Sequence, residues 1–148
     1  MELNNKVALI TGGGQGIGQV IGDNLASLGA HVVLVDVNLK NAEKSVASIK
    51  AKGGSASAAL LDVADSENVH QVFDSVGVSI NSITAIFVAL GPGGFSALRV
   101  GLSTAKGIAT ANQIPLIGIG TLAIEAAPYI HRKDAVWAII DAGRCKLY

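Results

Sequence analysis

Residues 7–18 read VALITGGGQGIG, a short apolar run that breaks into a cluster of glycines. VALIT is rich in β-branched residues and has no charge, as expected of a strand buried on both faces of a parallel sheet. Beyond the glycines, Ile17, Val20, Ile21, Leu25 and Leu28 recur at helical spacing until Gly29 stops the pattern. HVVLVDV (31–37) is a second apolar strand. Strand, glycine turn, helix and strand fit within about 30 residues, the size of one βαβ unit.

The glycines at 12, 16 and 18 let backbone amides approach a pyrophosphate at the positive end of a helix. By themselves they signal only a tight turn. Here they follow a strand and open a helix, and Asp36 closes the next strand about 20 residues on. A carboxylate in that place accepts hydrogen bonds from a ribose 2′-hydroxyl and repels a 2′-phosphate. The alternation continues with Leu39, Ala42, Val46 and Ile49 on one face of a second helix that ends at Gly53 and Gly54. SAALLDV (57–63) reads as a third strand, and Asp65 as the N-cap of a helix with Val69, Val72, Phe73 and Val76 on its apolar face.

In these motifs, residues 1 to about 75 resemble the N-terminal half of a short-chain dehydrogenase/reductase. TGGGQGIG (11–18) matches that family's TGxxxGIG turn, Asp36 stands at its NAD-selecting position, and Asp62 with Val63 matches the pair that contacts adenine. The resemblance implies an NAD site lined by Gly12, Gly16, Ile17, Gly18, Asp36, Asp62 and Val63.

The same family implies an asparagine-bearing turn after the fourth strand, whereas this chain continues ITAIFVALGPGG (83–94). Residues from about 76 to 148 resemble a different family, the actin-like accessory subunit of the bacterial machinery that makes threonylcarbamoyladenosine in tRNA. GPGGFSALRVG (91–101), TAKG (104–107), IPLIGI (114–119) and TLAIEA (121–126) carry the likeness in order, and AVWAIIDAGRCKLY (135–148) resembles the strand that opens that family's second domain. The chain therefore reads as a recombinant of two α/β lineages, laboratory assembly being the favoured origin, with a seam near residues 73–82. Both lineages set a fourth strand beside the first, with a right-handed crossover helix leading to a fifth on the far side, so exchange at a helix preserves strand order and handedness.

The fold expected is one doubly wound α/β domain over residues 1–148, with a mainly parallel Rossmann-like sheet. Its strand order is 3-2-1-4-5, with 135–141 available as a sixth strand. ITAIFVAL is expected as a buried strand, Leu98, Leu102, Ala105, Ile108 and Ala109 as a helix face, and Thr121 as the cap of a short helix ended by Pro128.

Half of the 148 residues are apolar, 15% are charged and the net charge is zero. These values give no nucleic-acid footprint, and the HRK cluster at 131–133 reads as a solvated loop. Asn, Ser, Gly and Pro divide residues 76–98 into strand-sized pieces, so no membrane segment is expected. The single cysteine, Cys145, excludes an internal disulfide and fits a reducing, cytoplasmic compartment. His31, His70 and His131 are scattered, which leaves no metal spacing and no His-based triad. Ser96, Ser103 and Thr104 lack a nucleophile-elbow context, Arg99 reads as a surface residue, and the GPGG loop reads as a structural turn. An excess of apolar surface around Leu98, Val100 and Leu102 points to a homodimer.

Tyr129 and Lys133 repeat the YxxxK spacing of short-chain dehydrogenases, but Pro128 precedes the tyrosine and strand residues Leu116 and Ile117 stand where the family has its serine. No catalytic residue is assigned. Three functions remain open: a dinucleotide-binding domain without turnover, which the motifs favour, an active NAD-dependent oxidoreductase, and a scaffold without a ligand.

Overall fold

In a computed structural model, residues 2–139, 141–143 and 146–147 are described, and Cys145 lies outside them. The chain divides into two compact units, Met1–Val78 and Ser79–Tyr148.

The first unit runs β1 (Val7–Thr11), α1 (Gly16–Ser27), β2 (His31–Asp36), α2 (Leu39–Ala51), β3 (Ser55–Leu60) and α3 (Ser66–Ser75). Its strands are parallel in the order 3-2-1, with Val7 opposite His31 and His31 opposite Ser55. The central strand explains the layering. Val32, Val33, Leu34 and Val35 are all buried, and successive side chains point to opposite faces of a strand. Val32 and Leu34 pack with Ala26 of α1 and with Ala42, Val46 and Ile49 of α2. Val33 and Val35 pack with Leu61 and with Val72 of α3. Two helices on one face and one on the other make the sheet doubly wound, as expected. Full burial of a side chain such as Leu34 stabilises the unit by about 1.5–3 kcal/mol.

Local chemistry sets the helix starts. Asn38 accepts a hydrogen bond from the Asn41 amide at the head of α2. Asp65 accepts from the Glu67 and Asn68 amides at the head of α3, which confirms its capping role. The third strand differs from the reading of 57–63. It starts and stops in register with β2, where Asp36 faces Leu60, the last residue of β3. The Leu61 amide then donates to the Asp36 carbonyl, and Asp62 turns the chain away by accepting from the Ala64 amide.

The second unit holds β4 (Ile86–Ala89), α4 (Phe95–Asn112), β5 (Leu116–Ile119) and α5 (Thr121–Ala126), then the short strands β6 (Asp141–Gly143) and β7 (Lys146–Leu147). β4 and β5 are parallel with α4 as their connection, while β6 and β7 pair antiparallel. Ala105 and Ala109 of α4 are buried, and Leu98, Leu102 and Ile108 are half-buried on the expected face. Hydrogen bonding among the described residues draws the ladder as 3-2-1 in one unit and 4-5 in the other. Three expectations fail here. β4 is not a buried strand, for Phe87 is 65% exposed and its register partner Ile117 is also exposed. Residues 135–139 form no strand: they follow the charged turn at 131–134, pair with no strand, and leave Trp137 83% exposed. Thr121 is also not the cap of α5; Gly120 is, and Thr121 is the first helical residue. The helix does end before Pro128, which lies in a 3-10 turn, Ala127–Tyr129.

Candidate functional site

The C-terminal ends of β1, β2 and β3 carry in turn the glycine turn, Asp36 and Asp62. Ligands of open parallel α/β sheets bind at this edge. Gly12 and Gly16 have φ of +64° and +54°, the left-handed region that glycine enters without steric cost. Between them the chain leaves β1 and enters α1. A side chain at Gly18 would run into the Gly12 carbonyl oxygen, so the first turn of α1 lies directly on the loop.

The turn is tied down at three points. The Gly13 amide donates to the Val35 carbonyl at 3.1 Å. The Gly14 amide donates to Asp36 Oδ2 at 3.0 Å. Ser45 of α2, 2% exposed, donates its hydroxyl to the Gly14 carbonyl at 3.2 Å. Cβ atoms at Gly13 or Gly14 would lie 2.9 Å from Leu34 Cβ or 2.8 Å from Asp36 Oδ2, so the loop fits only as glycine. Gly13, Gly14 and Ser45 were not among the residues singled out from the sequence. The run of three consecutive glycines was the available signal for the first two; a mid-helix serine gives none.

Asp36 also accepts from the Asn38 amide through Oδ1 at 2.9 Å. Its carboxylate is thus oriented by two backbone donors, and each oxygen retains acceptor capacity. At the head of α1 the N-cap is Gln15, with no side-chain capping bond and no acidic residue in the first turn. The amides there are unmet by side chains and carry the positive end of the helix dipole.

Asp62 and Val63 lie just beyond β3, both exposed. The Asp62 amide donates to Asn68 Oδ1 at 2.8 Å, which joins this segment to α3. Asp62 lines an open cleft of about 500 Å³ with Val37, Leu60, Asp65, Glu67, Asn68 and Gln71. Val63, 64% exposed, is not one of its walls. The geometry therefore joins the glycine turn to Asp36 by a direct hydrogen bond and sets Asp62 in a cleft at the same edge of the sheet.

Other residues weighed in the sequence fall elsewhere. Tyr129 sits in the 3-10 turn and Lys133 in the irregular segment after it, so the pair shares no helix. His31, at the start of β2, bonds Ser55 and Ser57 through its two ring nitrogens at 2.7 and 3.1 Å, at the opposite end of the strand from Asp36. His70 is exposed. The GPGG loop leads into α4 with Gly94 as N-cap, and the Thr121 amide donates to the Gly91 carbonyl at 2.8 Å. Among the described residues no three His, Cys, Asp or Glu side chains gather as a metal site, and no helix is long and apolar enough to cross a membrane.

Comparison with known proteins gives two likenesses. The family model of tRNA N6-adenosine threonylcarbamoyltransferase matches residues 39–148. It starts in α2, ahead of the seam near 73–82 suggested by the motifs. Short-chain dehydrogenases match over the N-terminal part. A 2,3-dihydro-2,3-dihydroxybenzoate dehydrogenase of Bacillus subtilis is 44% identical over 70 residues, which are 47% of this chain and 27% of that protein. Among solved structures, a citronellol catabolism dehydrogenase from Pseudomonas aeruginosa aligns with a TM-score of 0.54 at 27% identity, covering 74% of this chain and 49% of that one. A short-chain dehydrogenase/reductase from Burkholderia phymatum, solved in complex with NAD, aligns with a TM-score of 0.52 at 30% identity, covering 63% and 33%. The chain thus spans about half or less of the length of these dehydrogenases, and its N-terminal part has their dinucleotide-binding fold.

Proposed function

We propose, from the premise that this chain belongs to the tRNA N6-adenosine threonylcarbamoyltransferase family through residues 39–148 and carries a short-chain dehydrogenase-like segment at its N-terminal part, that it is a recombinant α/β protein whose working part is an NAD half-site. The observation that carries this reading is the hydrogen bond from the Gly14 amide to Asp36. It ties the glycine turn to the carboxylate proposed to meet a ribose, at the edge of the sheet where ligands of such folds bind.

In this reading the amides around Gly12, Gly16, Ile17 and Gly18 hold the pyrophosphate at the head of α1. Asp36 accepts from a ribose hydroxyl, and Asp62 and Val63 receive the adenine. The dinucleotide, when bound, supplies a hydride donor or acceptor. The chain supplies position and orientation and no proton-transfer group, since Tyr129 and Lys133 do not share the helix that such a pair requires. The recombinant origin is read as laboratory assembly, and the chain is proposed to work in the cytoplasm as a homodimer.

Calorimetric titration with NADH and NADPH tests the site. A charge-assisted hydrogen bond to Asp36 is worth about 1.5–3 kcal/mol, so NADH is expected to bind about tenfold to a hundredfold tighter than NADPH. Equal or tighter binding of NADPH removes the role given to Asp36. A hydride-transfer assay with a panel of small alcohols and ketones is expected to give no turnover above buffer; turnover lost in Tyr129→Phe would make the protein an oxidoreductase.

A further inference from the structure

We propose that Ser55, His31 and Ser57 form a second site, at the opposite end of the first sheet from Asp36, where Ser55 is a nucleophile toward small activated esters.

β2 is the central strand of the first unit, and the His31 amide is fixed by donating to the Lys6 carbonyl at 2.9 Å. Side chains alternate along a strand, so half-buried His31 shares the face of Val33 and Val35, which pack with Val72 of α3. Its register partners are Val7 on one side and Ser55 on the other. Ser57 is the next residue of β3 on the same face. The ring spans the two serines, with Nδ1 2.7 Å from Ser55 Oγ and Nε2 3.1 Å from Ser57 Oγ. Separations of 24 and 26 residues hide this cluster from any local motif.

A neutral imidazole carries one ring proton. With that proton on Nε2, the ring donates to half-buried Ser57, and Nδ1 accepts from the hydroxyl of exposed Ser55. Nucleophile, base and orienting group then stand in series, each within hydrogen-bond reach of the next. Gly53 and Gly54, just before Ser55, have no side chains to screen it. Val7, across the ring, is 59% exposed, so this end of the face is open to an incoming ester.

As Ser55 Oγ bonds to the acyl carbon, Nδ1 takes the hydroxyl proton and passes it to the departing aryloxide. Water then attacks the acyl-serine and gives a proton to Nδ1, which returns it to Oγ as the carboxylic acid leaves. At an exposed serine the developing oxyanion meets water, a weaker stabiliser than fixed donors. The substrate class is therefore esters with good leaving groups.

The test is p-nitrophenyl acetate on the full chain, followed by release of the phenol and by peptide mass spectrometry. Acetyl is expected on Ser55 of the native chain and not of the chain unfolded in urea. An alkyl fluorophosphonate, whose serine adduct resists hydrolysis, should label the same residue. Ser55→Ala should abolish the labelling, and His31→Gln should slow it about a hundredfold, the low end of what a general base contributes. Ser57→Ala should slow it several-fold by freeing the ring, and Ser57→Thr, which keeps the hydroxyl, should restore it. If neither reagent marks Ser55, or if both mark it equally in His31→Gln or in the unfolded chain, the proposal is overturned. Phenol release that survives Ser55→Ala undiminished overturns it as well, by placing the reaction on another nucleophile.

Discussion

Gly18 shows how little room the candidate site leaves. Its missing side chain is the space in which the Gly12 carbonyl lies. That neighbour is backbone and cannot rotate aside, so Gly18→Ala is expected to shift the loop away from α1. Overpacking of this kind typically costs about 1–3 kcal/mol. Urea unfolding should register that loss, and calorimetry should show NAD binding abolished. Ser45→Ala separates support from contact. The variant leaves the Gly14 carbonyl without its hydroxyl partner, at a cost of about 1 kcal/mol. It should weaken NAD by only a few-fold, because Ser45 itself is buried and reaches the ligand through the turn alone.

At the level of elements, α2 and α3 have separable supports. Ile49 of α2 is 1% exposed within the larger core cluster, and Ile49→Ala is expected to cost about 2–5 kcal/mol. Asp65→Ala removes two capping bonds from α3 and should cost about 0.5–2 kcal/mol. Both are read from shifts in urea midpoint at constant slope. These elements were legible in the sequence because local patterns dictate them: Ala42, Val46 and Ile49 recur at helical spacing, and Asp65 stands just before such a run. The glycine turn and Asp36 were legible for the same reason, since each follows an apolar strand. What local pattern could not supply was pairing. β3 begins at Ser55 because His31 opposes it, a fact about another strand. Residues 135–139 have the composition of a strand, but β-propensity expresses fit to neighbours, and no strand pairs with them. Ser45 was illegible because its partner, Gly14, is 31 residues away.

Across the whole molecule the two units are unequally built. In the first, buried hydrophobic side chains form two clusters on either side of β2. Among the described residues of the second, the buried hydrophobics are Ala105, Ala109 and Ile124. Stability in native-state hydrogen exchange follows such differences in packing, so amides of β2 should exchange only through global opening and those of α4 and β5 through an easier one. Equal protection in both units would mark a single cooperative domain, as the sequence suggests. Val100, 66% exposed on α4, belongs to the surface proposed for the homodimer. Sedimentation at micromolar concentration should give a dimer, and Val100→Lys a monomer. The three ties on the glycine turn also bear on time. A loop already held by Val35, Asp36 and Ser45 has no folding step to complete when a nucleotide arrives. Encounter should then proceed at a rate common to every ligand of the class, and differences in affinity among them should be differences in residence time.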